Sequence, residues 1–99
     1  MANRKIGWDK VALVQFNKAI EFIAEDSVQH AEKVRKDILQ KIEEIPSFPE
    51  KHPPDKYKLN NDGNYRAFEL YHYRVAYNIS PLEIKILRIR HTSREPLSY

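Results

Sequence analysis

Residues 9–46 read DKVALVQFNKAIEFIAEDSVQHAEKVRKDILQKIEEIP, and this stretch decides the architecture. Ala12, Phe16, Ala19, Ile20 and Ile23 recur at helical spacing, as do Ala31, Val34, Ile38, Ile42 and Ile45. Apolar residues three and four apart line one face of an α-helix. Asp9 stands where a helix N-cap is wanted, EDS (25–27) breaks the first pattern, and Ser27 is placed to cap the second. A short polar side chain at such a point accepts a hydrogen bond from a backbone N–H that has no partner in the helix. Pro46 and Pro49 stop the second helix, because proline lacks the N–H and crowds the preceding turn. Two helices joined this tightly form an antiparallel hairpin. Its apolar stripes need a covering layer, and no third long helix follows.

That layer is predicted to be a sheet. RKIGW (4–8) reads as a short strand ahead of the helices. Beyond the loop PSFPEKHPPDK (46–56), YKL (57–59), NYRAFEL (64–70), YRVAYNI (73–79) and EIKILRIRH (83–91) read as strands, with NNDG (60–63) and SPLE (80–83) as turns. Tyr, Val, Ile and Phe dominate these runs, as strand propensity asks. Alternation puts Tyr73, Val75, Tyr77 and Ile79 on one face and Arg74, Ala76 and Asn78 on the other. The fold expected is α+β, β-α-α-β-β-β: an N-terminal strand and a two-helix hairpin packed on an antiparallel β-sheet, a two-layer sandwich with one sheet face open.

The chain has 99 residues, enough for one domain, 1–99, and no cysteine, so disulfide and thiolate chemistry are excluded. No segment has the length or apolar character of a membrane span or the apolar core of a secretion signal, which predicts a cytoplasmic protein. Histidines at 30, 52, 72 and 91 lack ligand spacing, and two glycines make no phosphate loop, so neither metal nor cofactor is expected. Residues 1–50 carry eight Lys/Arg against nine Asp/Glu, and residues 51–99 carry nine against five. The cationic excess therefore sits in the second half, which suits a polyanion or an acidic protein partner.

AIEFIAEDSVQHAEKVRKDILQKIEEI (19–45), YRVAYNI (73–79) and IKILRIRHTSREP (84–96), in this order, resemble the RelE/ParE superfamily of type II toxin–antitoxin toxins. The resemblance implies the same α+β fold and a cognate antitoxin whose C-terminal segment wraps the toxin. It leaves the activity open between three readings. RelE-like members cut mRNA on the ribosome without a metal, ParE-like members inhibit DNA gyrase without catalysis, and an inactive relative would keep antitoxin binding alone. Fold alone cannot choose among them. The two similar helices favour the gyrase reading, and the basic second half favours RNA.

For cleavage, the resemblance implies Arg74 at the scissile phosphate, His91 as acid or base, Lys58 as a base and Tyr99 stacking on a base or aiding proton transfer. RNA brings its own 2′-hydroxyl nucleophile, so such a site needs proton transfer and cations around the phosphate. Lys56, Arg66, Arg88, Arg90 and Arg94 are the further candidates for phosphate contact. Arg88 and Arg90, two apart on a strand, share a face. Each candidate also has a plainer reading. Arg74 can pair with Glu69, Arg66 can join Arg74 or meet an acid, His91 can close a strand end, and the lysines can protect a sheet edge.

Overall fold

The computed structural model describes residues 4–99. Asp9 and Ser27 set the helical hairpin. The Asp9 carboxylate accepts from the Val11 N–H at 3.0 Å and starts α1, Lys10–Asp26. The Ser27 N–H donates to Ile23 O, ending α1, while its hydroxyl oxygen accepts from the His30 N–H at 3.1 Å, starting α2, Val28–Glu44. One extended residue thus caps both helices. A 3-10 turn at Ile45–Ser47, with Pro46 inside it, closes the hairpin. Val34, Ile38, Ile42 and Ile45 are buried on the inner face, each burial being worth about 1.5–3 kcal/mol.

Among the described residues four strands lie beneath: β1 Lys5–Trp8, β2 Tyr65–Leu70, β3 Tyr73–Ile79 and β4 Glu83–His91, in the order β1-β4-β3-β2. Tyr73, Val75, Tyr77 and Ile79 face the helices and join one core with Phe16, Phe68, Ile84, Ile86 and Ile89. The predicted antiparallel sheet holds for β2, β3 and β4, but β1 runs parallel to β4. The Lys5 N–H donates to Leu82 O at 3.0 Å and the Asp9 N–H to Ile86 O at 2.8 Å. Alternation says which face a strand buries, not which neighbour it takes.

YKL (57–59), expected as a strand, is not one. The edge beside β2 is already taken by Pro53–Asp55, where the Asp55 N–H donates to Tyr65 O at 2.7 Å and the Ala67 N–H to Pro53 O at 3.2 Å. Asp55 then turns the chain, its carboxylate accepting from the Tyr57 N–H at 3.1 Å. The NNDG turn does form: Gly63 takes φ 96°, and its N–H donates to the Asn61 side chain at 2.9 Å. A positive φ of this kind suits a residue without a Cβ.

β4 changes face halfway. Tyr77 pairs with Ile86 but Ala76 with Arg88, so Leu87 is an extra residue, a β-bulge. Before it Ile84 and Ile86 face the helices; after it Ile89 and His91 do, opposite Val75 and Tyr73. Strict alternation from Ile84 would have turned Arg88 and Arg90 into the core. The bulge sends both to the other face, which is how an inserted residue re-aims a strand.

Candidate functional site

The sheet face away from the helices, expected to be open, is instead covered by residues 55–59 and 95–99. Arg74 is buried there, its side chain 9% exposed, with one terminal nitrogen 2.8 Å from Asp55 and the other 2.8 Å from Glu69. The Asp55 side chain is fully buried. Its second oxygen accepts from the Tyr99 hydroxyl at 2.7 Å. Tyr99 is held at both ends, since its N–H donates to Tyr57 O at 3.0 Å and its main-chain oxygen accepts from the Leu59 N–H at 2.6 Å. The guanidinium of Arg88 lies 4.0 Å from the Tyr99 ring centroid, and that of Arg74 lies 4.9 Å from the Tyr57 ring. Cations over aromatic faces are attracted by the ring quadrupole.

Lys58 joins this side, its ammonium 4.7 Å from the Tyr65 ring and 5.4 Å from the Tyr99 ring. Lys56 sits over Tyr57 at 5.3 Å. Arg90, paired with Arg74 across the strands, has its Nε 3.2 Å from Glu95, and Arg88 approaches the other Glu95 oxygen at 3.7 Å. Arg66 does not join Arg74. It pairs with Tyr77 on the helix side and donates to His52 O at 2.8 Å and Gly63 O at 3.0 Å, stapling the loop before β2.

His91 lies on the opposite face from Arg74. Its ring packs edge-on against Tyr73, and Nδ1 is 2.8 Å from the Ser93 hydroxyl. With Arg94, Lys18, Phe22, Tyr73 and Arg90 it lines a cleft of about 450 Å³ between α1 and the end of β4. The charged members of that lining are all cationic. On α1, Val11, Val14, Lys18 and Phe22 share a face turned from the core, and Phe22 is 68% exposed. The structure thus gathers Arg74, Arg88, Lys56, Lys58 and Tyr99 on one side, sets His91 and Arg94 on the other, and leaves Arg90, which meets Glu95 and also lines the cleft, at the boundary.

Burial alone would raise the Asp55 pKa, but hydrogen bonds from Arg74, Tyr99 and the Tyr57 N–H, with the charge of Arg74, outweigh it and hold the carboxyl below its usual range. Burial and then the Asp55 hydrogen bond push the Tyr99 phenol up. Ionised Asp55 therefore contributes stability above its ordinary value of about 3.9, lost as pH falls through the lower folded value. Neutral Tyr99 contributes below about 10, lost as pH rises through its raised value. Denaturant midpoints measured against pH should fall at both ends, with the acid limb reduced in Asp55→Asn and the alkaline limb reduced in Tyr99→Phe. Some of each limb should persist. Asp37 is held low by Tyr71 and Lys33, and burial pushes Tyr77 up to about 12. Limbs identical to wild type in both variants would refute the assignment.

Three participants escaped the sequence reading: Asp55, Glu95 and the Lys18–Phe22 face of α1. Glu95 had a signal, being the single acid in residues 84–99 among Lys85, Arg88, Arg90 and Arg94. Among the described residues no group of three or more His, Cys, Asp or Glu side chains could hold a metal ion, and no helix is long and apolar enough to cross a membrane.

The fold has known counterparts. The chromosomal ParDE TA system from P. aeruginosa superposes with a TM-score of 0.71 at 15% identity, covering 89% of this chain and 95% of that one. The YoeB dimer from Staphylococcus aureus superposes with a TM-score of 0.57 at 17% identity, covering 90% and 97%. At such identities the likeness speaks for the fold alone. No curated protein sequence matches the chain. Residues 6–96 match the family model described as the ParE toxin of the type II toxin–antitoxin system parDE. That match spans nearly all of the sheet, hairpin and bulged last strand described above, and the chain belongs to the ParE toxin family of type II toxin–antitoxin systems.

Proposed function

We propose that this toxin acts by binding, as an inhibitor of DNA gyrase with no catalysis of its own, and that a cognate antitoxin neutralises it. The observation that carries this reading is the state of Arg74. Both its terminal nitrogens are taken by carboxylates at 2.8 Å, so it offers no free cation to a scissile phosphate. A cleavage site also needs its acid or base within hydrogen-bond reach of the same reacting atoms, and His91 lies across the sheet from Arg74. The ParE family match supports the same side, because gyrase inhibition is what the resemblance implies for ParE-like members.

An open basic sheet face would be the natural seat for the antitoxin segment. Residues 95–99 cover that face, so the better seat is the cleft between α1 and β4. Its cationic rim of Lys18 and Arg94 beside exposed Phe22 suits an acidic amphipathic segment.

Induction of the toxin alone in a bacterial host tests the function. The expected result is growth arrest with intact mRNA and a DNA-damage response, retained in His91→Ala. Rapid mRNA loss that His91→Ala abolishes would overturn the proposal in favour of an endoribonuclease. Arrest of neither kind would favour an inactive relative. Arg74→Ala is unsuited to this test, since it would leave Asp55 buried without its cation.

A further inference from the structure

Arg88 and Arg90 differ from Arg74 in one respect. Arg74 has two carboxylates, Asp55 and Glu69, whereas the only acid near Arg88 or Arg90 among the described residues is the shared Glu95. The Glu95 side chain is 5% exposed, with one oxygen accepting from the Leu97 N–H at 2.8 Å and the two guanidinium groups flanking the carboxylate. The fit is imperfect: Glu95 Oε1 and Arg90 Nε are both buried and, at 3.2 Å, make no well-formed hydrogen bond.

Main-chain contacts continue along the segment. Arg90 donates to Arg94 O at 2.9 Å and Arg88 to Leu97 O at 2.6 Å. Tyr99 then pairs its backbone with Tyr57 and Leu59 and drops its ring beneath Arg88. Pro96, Leu97 and Ser98 are exposed. Glu95 and Tyr99 therefore act as the two anchors of an extended peptide held by charge, hydrogen bonds and one ring, with little apolar burial. Segments held this way open at low free energy compared with the core.

We infer that the groove between residues 55–59 and the outer faces of β3 and β4 is a peptide-binding site loaded in cis with residues 95–99, and that it takes in trans an extended partner peptide carrying an acidic residue four positions before an aromatic one. The carboxylate docks on Arg88 and Arg90, and the aromatic ring enters between Arg88 and Asp55. Main-chain pairing with Tyr57–Leu59 supplies register, as in strand addition to an exposed edge. The site lies on the other face of the sheet from the α1–β4 cleft, meeting it only at Arg90 among the described residues, and does not depend on the target of the toxin. The cis segment competes at high effective concentration, so the closed chain binds a free peptide weakly.

The test uses the full-length chain and a fluorescent hexapeptide with the sequence of residues 94–99, REPLSY. Glu95→Gln should speed amide hydrogen exchange at Leu59 and Tyr99 and tighten hexapeptide binding about ten-fold or more over wild type, as the competent fraction rises. Tyr99→Phe, which loosens the other anchor, should act in the same direction. Adding Arg90→Ala to Glu95→Gln should abolish the gain, and the hexapeptide with Glu95→Gln should bind at least about ten-fold more weakly, because two largely buried guanidinium groups are then left without a countercharge. Unchanged exchange in both single variants would overturn the inference, since neither anchor would then hold the segment. Faster exchange without tighter binding would overturn it equally. A variant that dimerises and ignores the hexapeptide would assign the groove to a second copy of this chain, which also rejects a foreign peptide.

Discussion

Asp55→Ala is expected to cost about 3–5 kcal/mol of folding stability, the range for removing one partner of a buried ion pair. The side chain is fully buried and touches Arg74, Tyr99 and the Tyr57 N–H. Its removal strands the Arg74 guanidinium with Glu69, which is half exposed, and leaves the Tyr99 hydroxyl without an acceptor. A domain of this length is stable by about 5–15 kcal/mol, so the variant should be close to unfolding. Glu69→Ala makes the contrast, since an ion pair in contact with solvent is worth about 0–1 kcal/mol. Urea denaturation reads both, with a slope for a small protein of about 1–3 kcal/mol/M. The midpoint should drop by roughly 2 M for Asp55→Ala and barely move for Glu69→Ala. Replacing both ends of the pair, Asp55→Leu with Arg74→Met, should recover much of the loss, because no buried charge is left uncompensated. Equal costs for Asp55→Ala and Glu69→Ala would mean that Asp55 is not the keystone of this face.

The helices were legible because their cause is local. Asp9 and Ser27 cap, Pro46 stops, and the apolar spacing leaves one face to bury. The strand faces were legible in β3, where Tyr73 to Ile79 alternate without interruption. What stayed hidden depends on long-range partners. Nothing in LysIleGlyTrp (5–8) says that it will lie parallel beside β4. Arg74 reads as the outward residue of a half-exposed strand until Asp55, 19 positions earlier, is folded beneath it. Nothing near Tyr99 in the sequence says that its hydroxyl will find Asp55, 44 positions away. The bulge leaves a trace in the sequence: Ile84 and Ile86 share one parity and Ile89 the other, so the phase of the pattern shifts at Leu87. A phase slip between two apolar runs in one strand marks a bulge, and here it decides on which side of the sheet two arginines emerge. The same slip separates His91 from Arg74, and with it the candidate chemistry.

Reversing charge at the rim of the α1–β4 cleft, with Lys18→Glu and Arg94→Glu together, is expected to weaken the proposed antitoxin complex by roughly 100-fold or more. Like charges brought together at an interface cost several kcal/mol, and about 1.4 kcal/mol is a factor of ten. Both residues line the cleft at exposed positions, so the isolated chain should lose no more than about 0.5 kcal/mol, as for surface substitutions in general. Folding and binding are thus separable in this variant, which Asp55→Ala does not allow. Titration calorimetry at two ionic strengths checks the origin of the effect. The wild-type affinity should fall as salt rises, and the variant should depend on salt less or in the opposite sense, because screening weakens attraction and repulsion alike. Phe22→Ala measures the apolar share of the same seat: it removes an exposed ring from the cleft wall and should leave the salt dependence intact. An antitoxin that binds the charge-reversed chain as tightly as wild type would move its seat away from this cleft, to a surface where neither Lys18 nor Arg94 is within reach.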